Sequence, residues 1–174
     1  MSTTLAINKI QGVVTWDNEN VLTLGNTVNS NSFASGGSTL TNGTGANQAD
    51  TIYATTTTIA AAGTLNLNLN STPLTGFFAQ NCVFARVKIL YIELQNATAA
   101  STITIGAAAT HPFVSWLSGT TPAVVVRNGG FILLYAPDAT AYTVTSASSD
   151  QLLITNNDAS NVATLRIAIV GASV

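Results

Sequence analysis

His111 is the chain's single histidine, and its carboxylates are Asp17, Glu19, Asp50, Glu93, Asp138, Asp150 and Asp158. General acid–base catalysis usually needs a histidine or a pair of carboxylates whose pKa values are pushed apart. His111 precedes Pro112 and Phe113 in a stretch running on to Trp116, which reads as a loop histidine beside an aromatic cluster. A nucleophilic serine needs a suitable turn, and Ser115-Trp116-Leu117-Ser118-Gly119 does not match the Gly-x-Ser-x-Gly elbow. Serine is so common here that a Ser–His–Asp combination carries no weight by composition. Asp17 and Glu19 stand two apart, a pairing a glycosidase could use, yet they lie in a polar turn, Trp16-Asp17-Asn18-Glu19-Asn20. Asp138, Asp150 and Asp158 fall in successive loops and could converge on calcium, but no Asp-x-Asp-x-Asp-Gly run supports that. Cys82 is alone, so it makes no intrachain disulfide, and with one histidine it builds no zinc set. Gly36-Gly37 and Asn42-Gly43-Thr44-Gly45 lack the Lys-Ser/Thr that follows a phosphate loop. These residues point away from an enzyme and imply no catalytic residue, cofactor or metal.

The elements that must position them are built from an unusual composition. Charged residues make up 7% of the 174-residue chain, against about 25% in a typical soluble domain. The hydrophobic fraction, 47%, is ordinary, so the chain can bury a core and disorder throughout is not expected. The polar surface is then made of Thr, Asn, Ser and Gly, which suits a subunit that lies against other protein. Lys9, Arg86, Lys88, Arg127 and Arg166 are scattered, whereas nucleic-acid binding needs clustered cations. No window approaches the ~18 apolar residues of a membrane span. Met1-Ser2-Thr3-Thr4 shows no basic stretch followed by an apolar run, so synthesis in the cytoplasm without a secretory signal is expected.

Helix signals are nearly absent, and β-branched residues are abundant. Leu65, Leu67 and Leu69 alternate with Thr64, Asn66, Asn68 and Asn70, the pattern of a half-buried strand. Ile103 and Ile105 alternate with Thr102 and Thr104, and Leu165, Ile167 and Ile169 with Thr164, Arg166 and Ala168. From Val83 to Gln95 a longer strand is expected, with Arg86 and Lys88 on one face and Val87, Ile89 and Tyr91 on the other. Beyond Leu90 both its faces turn apolar, so it is either covered on both sides or carries a bulge. Further strands are expected over Thr51–Ile59, Ala123–Arg127, Phe131–Ala136, Tyr142–Thr145 and Gln151–Thr155. Asn128-Gly129-Gly130 reads as a tight hairpin between two of them. Short strands with turn signals at intervals of about 8–12 residues argue for an antiparallel sandwich or a closed barrel.

The first fifty residues differ. They hold one or two short strands, over Leu5–Thr15 and Val21–Leu24, and then a segment rich in Asn, Ser, Gly and Thr from Asn26 to Asp50. So long an irregular segment is uncommon inside a compact domain. The segment is either disordered or part of an arm that becomes ordered against a neighbouring subunit; the expectation is an N-terminal arm or extension over residues 1–50 and a β-sandwich domain over 51–174. Trp16, Val28, Phe33, Leu40 and Trp116 are the candidate anchors for subunit or shell contacts. Trp16, Trp116, Tyr53, Tyr91, Tyr135 and Tyr142 would stack sugars if they shared one exposed face.

Three stretches carry a resemblance. They are Asn42-Gly43-Thr44-Gly45-Ala46-Asn47-Gln48-Ala49-Asp50-Thr51-Ile52-Tyr53, Val124-Val125-Val126-Arg127-Asn128-Gly129-Gly130-Phe131 and Ala136-Pro137-Asp138-Ala139-Thr140-Ala141-Tyr142. Over about residues 42–170 the chain resembles small β-rich virion structural proteins of tailed bacteriophages, of which the capsid decoration (cement) proteins are the nearest named class. The resemblance implies a β-sandwich or jelly-roll subunit, commonly a homotrimer, bound to the major capsid protein on the outside of an assembled shell. It transfers no functional residue, because the shared motifs look like turns. The alternative from another class is a receptor- or glycan-binding module of a tail or fibre.

Overall fold

The computed structural model describes residues 7–10, 13–22, 25–34, 38–76, 79–95, 100–119 and 122–174, with side chains from residue 39 onward. In chain order the strands are β1 (Ile7–Ile10), β2 (Val13–Leu22), β3 (Gly25–Ala34), β4 (Ser38–Asn42), β5 (Gln48–Ala49), β6 (Thr51–Ile59), β7 (Thr64–Asn68) and β8 (Leu74–Thr75). They continue with β9 (Asn81–Cys82), β10 (Arg86–Leu94), β11 (Thr102–Gly106), β12 (Ala123–Arg127), β13 (Phe131–Tyr135), β14 (Tyr142–Thr143), β15 (Gln151–Asn156) and β16 (Ala163–Ala172). Among the described residues no helix is long and apolar enough to cross a membrane.

Two antiparallel sheets form the body. One runs β13-β10-β16-β6, with β14 also on β10; the other runs β12-β11-β15-β7. From β6 on, the long strands cross between the sheets in succession except at β11–β12, which pair with each other, while the short β14 stays on β10 beside β13 and β8 pairs with β9. This is the jelly-roll topology, two Greek keys wrapped into a sandwich. The sheets do not close on each other, so the barrel expected as an alternative is not formed.

The alternating patterns build the core as periodicity demands. Leu67 and Leu69, Ile103 and Ile105, Leu152 and Ile154, and Leu165, Ile167 and Ile169 are all buried in one cluster between the sheets. The ambiguous strand is resolved by a bulge. Val87 faces Gly171 and Ile89 faces Val170, so Lys88 is the extra residue on β10. The slip puts Val87, Leu90, Ile92 and Leu94 in the core and sends Ile89 to a second cluster outside the sheet, with Leu40, Ala49 and Val170.

Asn128-Gly129-Gly130 does turn the chain, with Gly129 at φ 72° and the Gly130 N–H on the Arg127 carbonyl at 2.8 Å. It is not a hairpin between paired strands, however. β12 pairs with β11 and β13 with β10, so the turn carries the chain from one sheet to the other. The Asn26–Asp50 stretch also departs from expectation: it holds β3, β4 and β5. β4 pairs with β1 antiparallel and with β5 in parallel. The stretch ends against the sandwich, where the Asp50 N–H donates to the Gly171 carbonyl at 3.1 Å.

Candidate functional site

The loop carboxylates serve their own loops. Asp138 Oδ1 accepts the N–H groups of Thr140 and Ala141, each at 2.9 Å. These bonds, with help from the Lys88 charge, hold it below the ordinary carboxylate range. Asp158 accepts from the Ser160 N–H at 2.9 Å, the Asn161 side chain at 3.0 Å and the Ser101 hydroxyl at 2.8 Å, which lower it to about 2. Asp50 takes the N–H and hydroxyl of Ser173 at 2.8 and 2.6 Å. No group of three His, Cys, Asp or Glu able to hold a metal ion occurs among the described residues. Asp138, Asp150 and Asp158 therefore do not converge on a calcium site. The Asp17 and Glu19 side chains lie outside the described residues.

Ser71, His111 and Asp150 do meet, but in the wrong order for nucleophilic catalysis. A triad places the histidine between serine and aspartate. Here the fully buried Asp150 sits in the middle. Its Oδ2 accepts the Ser71 hydroxyl and, at 3.0 Å, the Ala147 N–H, while His111 Nδ1 stands 3.9 Å from Oδ1. Burial alone would raise this carboxyl; the bonds from Ser71 and Ala147 outweigh it and hold the group below its ordinary value. The arrangement leaves the Ser71 proton with an acceptor that is itself anionic at neutral pH. It ties the loop before β15 to the one after β7.

Lys88 is the most unusual group. It is fully buried, and its ammonium donates to the Gly45 and Asp138 carbonyl oxygens at 2.6 and 2.9 Å. Burial lowers its pKa, the neighbouring Arg86 charge adds to this, and Asp138 opposes it. An isolated buried ammonium is costly, so both carbonyls must be in place. Beside it the Asn47 N–H reaches the Pro137 carbonyl at 2.7 Å. Together these bonds hold the 43–49 segment on the outer face of the larger sheet.

That face is ordered in rows by strand register. One row, Tyr135-Ile89-Val170-Ile52, is covered by Leu40 and Ala49. The next, Leu133-Tyr91-Ala168-Ala54, and the third, Phe131-Glu93-Arg166-Thr56, follow from the same pairings. Between them lies a shallow groove of about 400 Å³ lined by Ala54, Thr56, Tyr91, Arg166 and Ala168 among others. The Tyr91 hydroxyl donates to Glu93 Oε2 at 2.8 Å, and Arg166 stands 3.8 Å from the same oxygen. Burial and the Glu93 carboxylate both raise the Tyr91 phenol. Tyr91 and Phe131 rings lie 5.7 Å apart. The outer face of the smaller sheet is almost uncharged: the register aligns Thr64, Thr155, Thr104 and Val125 across it. Arg127, on an edge strand, is the one charged residue on the outer face of its four strands.

Of the expected anchors, Leu40 and Trp116 have described side chains. Leu40 is buried in this chain's own outer cluster. Trp116 packs on the main core, its indole N–H on the Phe113 carbonyl at 3.1 Å. Trp16 lies in β2, and Val28 and Phe33 lie in β3; their side chains are outside the described residues. The tyrosines do not share a face: Tyr53 and Tyr142 pack on the main core and Tyr135 on the outer cluster. Phe131, 59% exposed, was not singled out in the sequence, because Phe-Ile-Leu-Leu-Tyr is apolar on both faces.

No family model and no curated protein matches the chain. Among solved structures it is similar to one described as "Crystal structure of PirA", at 16% identity over 68% of this chain and 93% of that one, with a TM-score of 0.34. A likeness at that level carries no argument.

Proposed function

We propose that this chain is a structural virion protein that binds the assembled shell of a bacteriophage as a homo-oligomer, decorating and stabilising it. The observation that carries the reading is a sheet surface with very few charges: the outer face of the smaller sheet bears Arg127 alone, while Lys88, Asp138, Asp150 and Asp158 are engaged in holding loops. Such faces are suited to repeated contact with a lattice, where many weak contacts act together through multivalency. The resemblance of residues 42–170 to decoration proteins agrees with the topology, and the major capsid protein is the partner it implies. Electron microscopy of intact particles tests this. The expected result is density for this fold on the shell exterior in symmetry-related copies; particles lacking it there would overturn the reading.

A second reading, a glycan-binding module of a tail or fibre, draws on Tyr91 and Phe131 beside Glu93 and Arg166. Aromatic faces flanked by hydrogen-bonding groups suit sugars. Glycan-array binding lost in Tyr91→Ala, with the fold retained, would favour it over decoration.

A further inference from the structure

Most of the exposed large hydrophobics among the described residues lie on one side of the sandwich. Among the described residues the exposed large hydrophobics are Val125, Phe131, Leu133, Val162 and Val174, and the first three sit on the edge strands β12 and β13. The opposite edges, β6 and β7, present Thr56, Thr58 and Asn66 instead. Natural edge strands are normally protected by charge, proline or a bulge. β13, Phe131-Ile132-Leu133-Leu134-Tyr135, has no charge and no proline, and its register with β10 is unbroken. Among the described residues it pairs with β10 and with no other strand.

Its backbone polarity can be read from the ladder. The Leu94 N–H donates to the Gly130 carbonyl and the Ala136 N–H to the Lys88 carbonyl. Bonded pairs alternate in an antiparallel ladder, so Ile132 and Leu134 also turn their groups to β10. The N–H and C=O groups of Phe131, Leu133 and Tyr135 then point outward.

We infer that this edge joins two copies of the chain, β13 against β13, antiparallel about a two-fold axis at Leu133. The strand is self-complementary in that register. Phe131 meets Tyr135 of the second copy, Ile132 meets Leu134, and Leu133 meets Leu133. The three residues with outward backbone groups fall into the bonded pairs, and each pair exchanges both of its bonds. Like meets like, aromatic with aromatic and aliphatic with aliphatic, and no charge is brought against another. A contact of this kind is isologous, so the same patch serves both partners. It rests on the edge strand and is independent of the virion reading.

Sedimentation equilibrium of the full chain tests the inference alongside Leu133→Lys, which sets like charges across the axis. Leu133 is 36% exposed, so the fold should survive, with circular dichroism as the check. The native chain is expected as two copies, and Leu133→Lys should weaken association at least ~30-fold, as for a central interface residue. Leu133→Cys should give a covalent dimer on oxidation, while Leu153→Cys, on the other sheet's outer face, should not. A native trimer, an association untouched by Leu133→Lys, or equal cross-linking at both positions would overturn the two-fold. A native single chain would assign the edge to a different protein and overturn it too.

Discussion

The Lys88 ammonium lies 2.6 Å from the Gly45 carbonyl oxygen, 43 residues earlier in the chain, and no carboxylate hydrogen bond accompanies it. The charge is stabilised by carbonyl dipoles from two loops and by the nearby Asp138 charge, and the lysine exists where it does because the bulge on β10 turns it out of the core. Replacing Lys88 with Met keeps the stem and removes both donors. We expect a loss of about 1–3 kcal/mol, the cost of orphaned buried acceptors. The loss should be local. Amide exchange should quicken at Thr41 and Asn47, whose N–H groups bond to Asn47 and Pro137 carbonyls, and not at Ile167 in β16. Unchanged exchange at Asn47 would show that the apolar contacts of Leu40 suffice.

Ser71 and His111 flank Asp150 with different weights. Ser71→Ala removes a bond to a fully buried carboxylate and should cost about 1–3 kcal/mol. His111→Ala, at a half-exposed ring 3.9 Å away, should stay within about 0.5 kcal/mol. Thermal melts of the two variants decide this; a larger loss for His111 would reverse the assignment of the buried charge's partner.

Acid should unfold the protein through its loops. Asp158 is lowered to about 2, and Asp150 and Asp138 are also held low. A carboxyl with a lower pKa folded than unfolded takes its proton more readily in the unfolded chain. Its contribution is therefore complete above about pH 4, the unfolded value, and drains away as pH falls through the folded value. Melting temperature should be level above that point and fall steadily toward pH 2. Asp158→Asn should flatten the fall, and an unaltered slope would count against the Asp158 contribution.

The backbone offers two opposite substitutions. Gly171 faces Val87 at the bulge, and a methyl group there would overlap the Arg86 carbonyl oxygen. Gly171→Ala should destabilise by about 1–3 kcal/mol, as overpacking does. Ala147 takes φ 53°, a left-handed conformation that costs an L-residue about 1–2 kcal/mol. Ala147→Gly should therefore gain about 0.5–1 kcal/mol after the unfolded chain's added freedom is counted. Denaturant titration of both variants measures the two signs.

Where a strand is half-buried, its residue types alone disclose it. The leucines of β7 and the Leu165-Ile167-Ile169 set of β16 alternate cleanly because one face meets the core and the other meets water. β10 was ambiguous because one extra residue, Lys88, shifts its register and because Ile89 is covered from outside by Leu40. The Asn128-Gly129-Gly130 turn was legible as a turn but not as a crossover, since local chemistry sets the bend and not the sheet each arm joins. The Asn- and Thr-rich run before Asp50 concealed β3, β4 and β5, because their pairing does not rest on apolar alternation. Of the surface, the loop carboxylates were visible as residues, but that Asp138 and Asp158 brace their own turns while Asp50 and Asp150 reach across to Ser173 and Ser71 was not. The outward face of Phe131 and Leu133 was hidden because their inward neighbours are equally apolar.

Asp50 holds Ser173 at the point where β6 begins and β16 ends. The route into the sandwich and the route out of it thus meet at one pole. A segment joined after Val174 would emerge beside the one that leads into β6. This makes the fold suited to grafting as a cassette, since its two attachment points enter a recipient surface side by side.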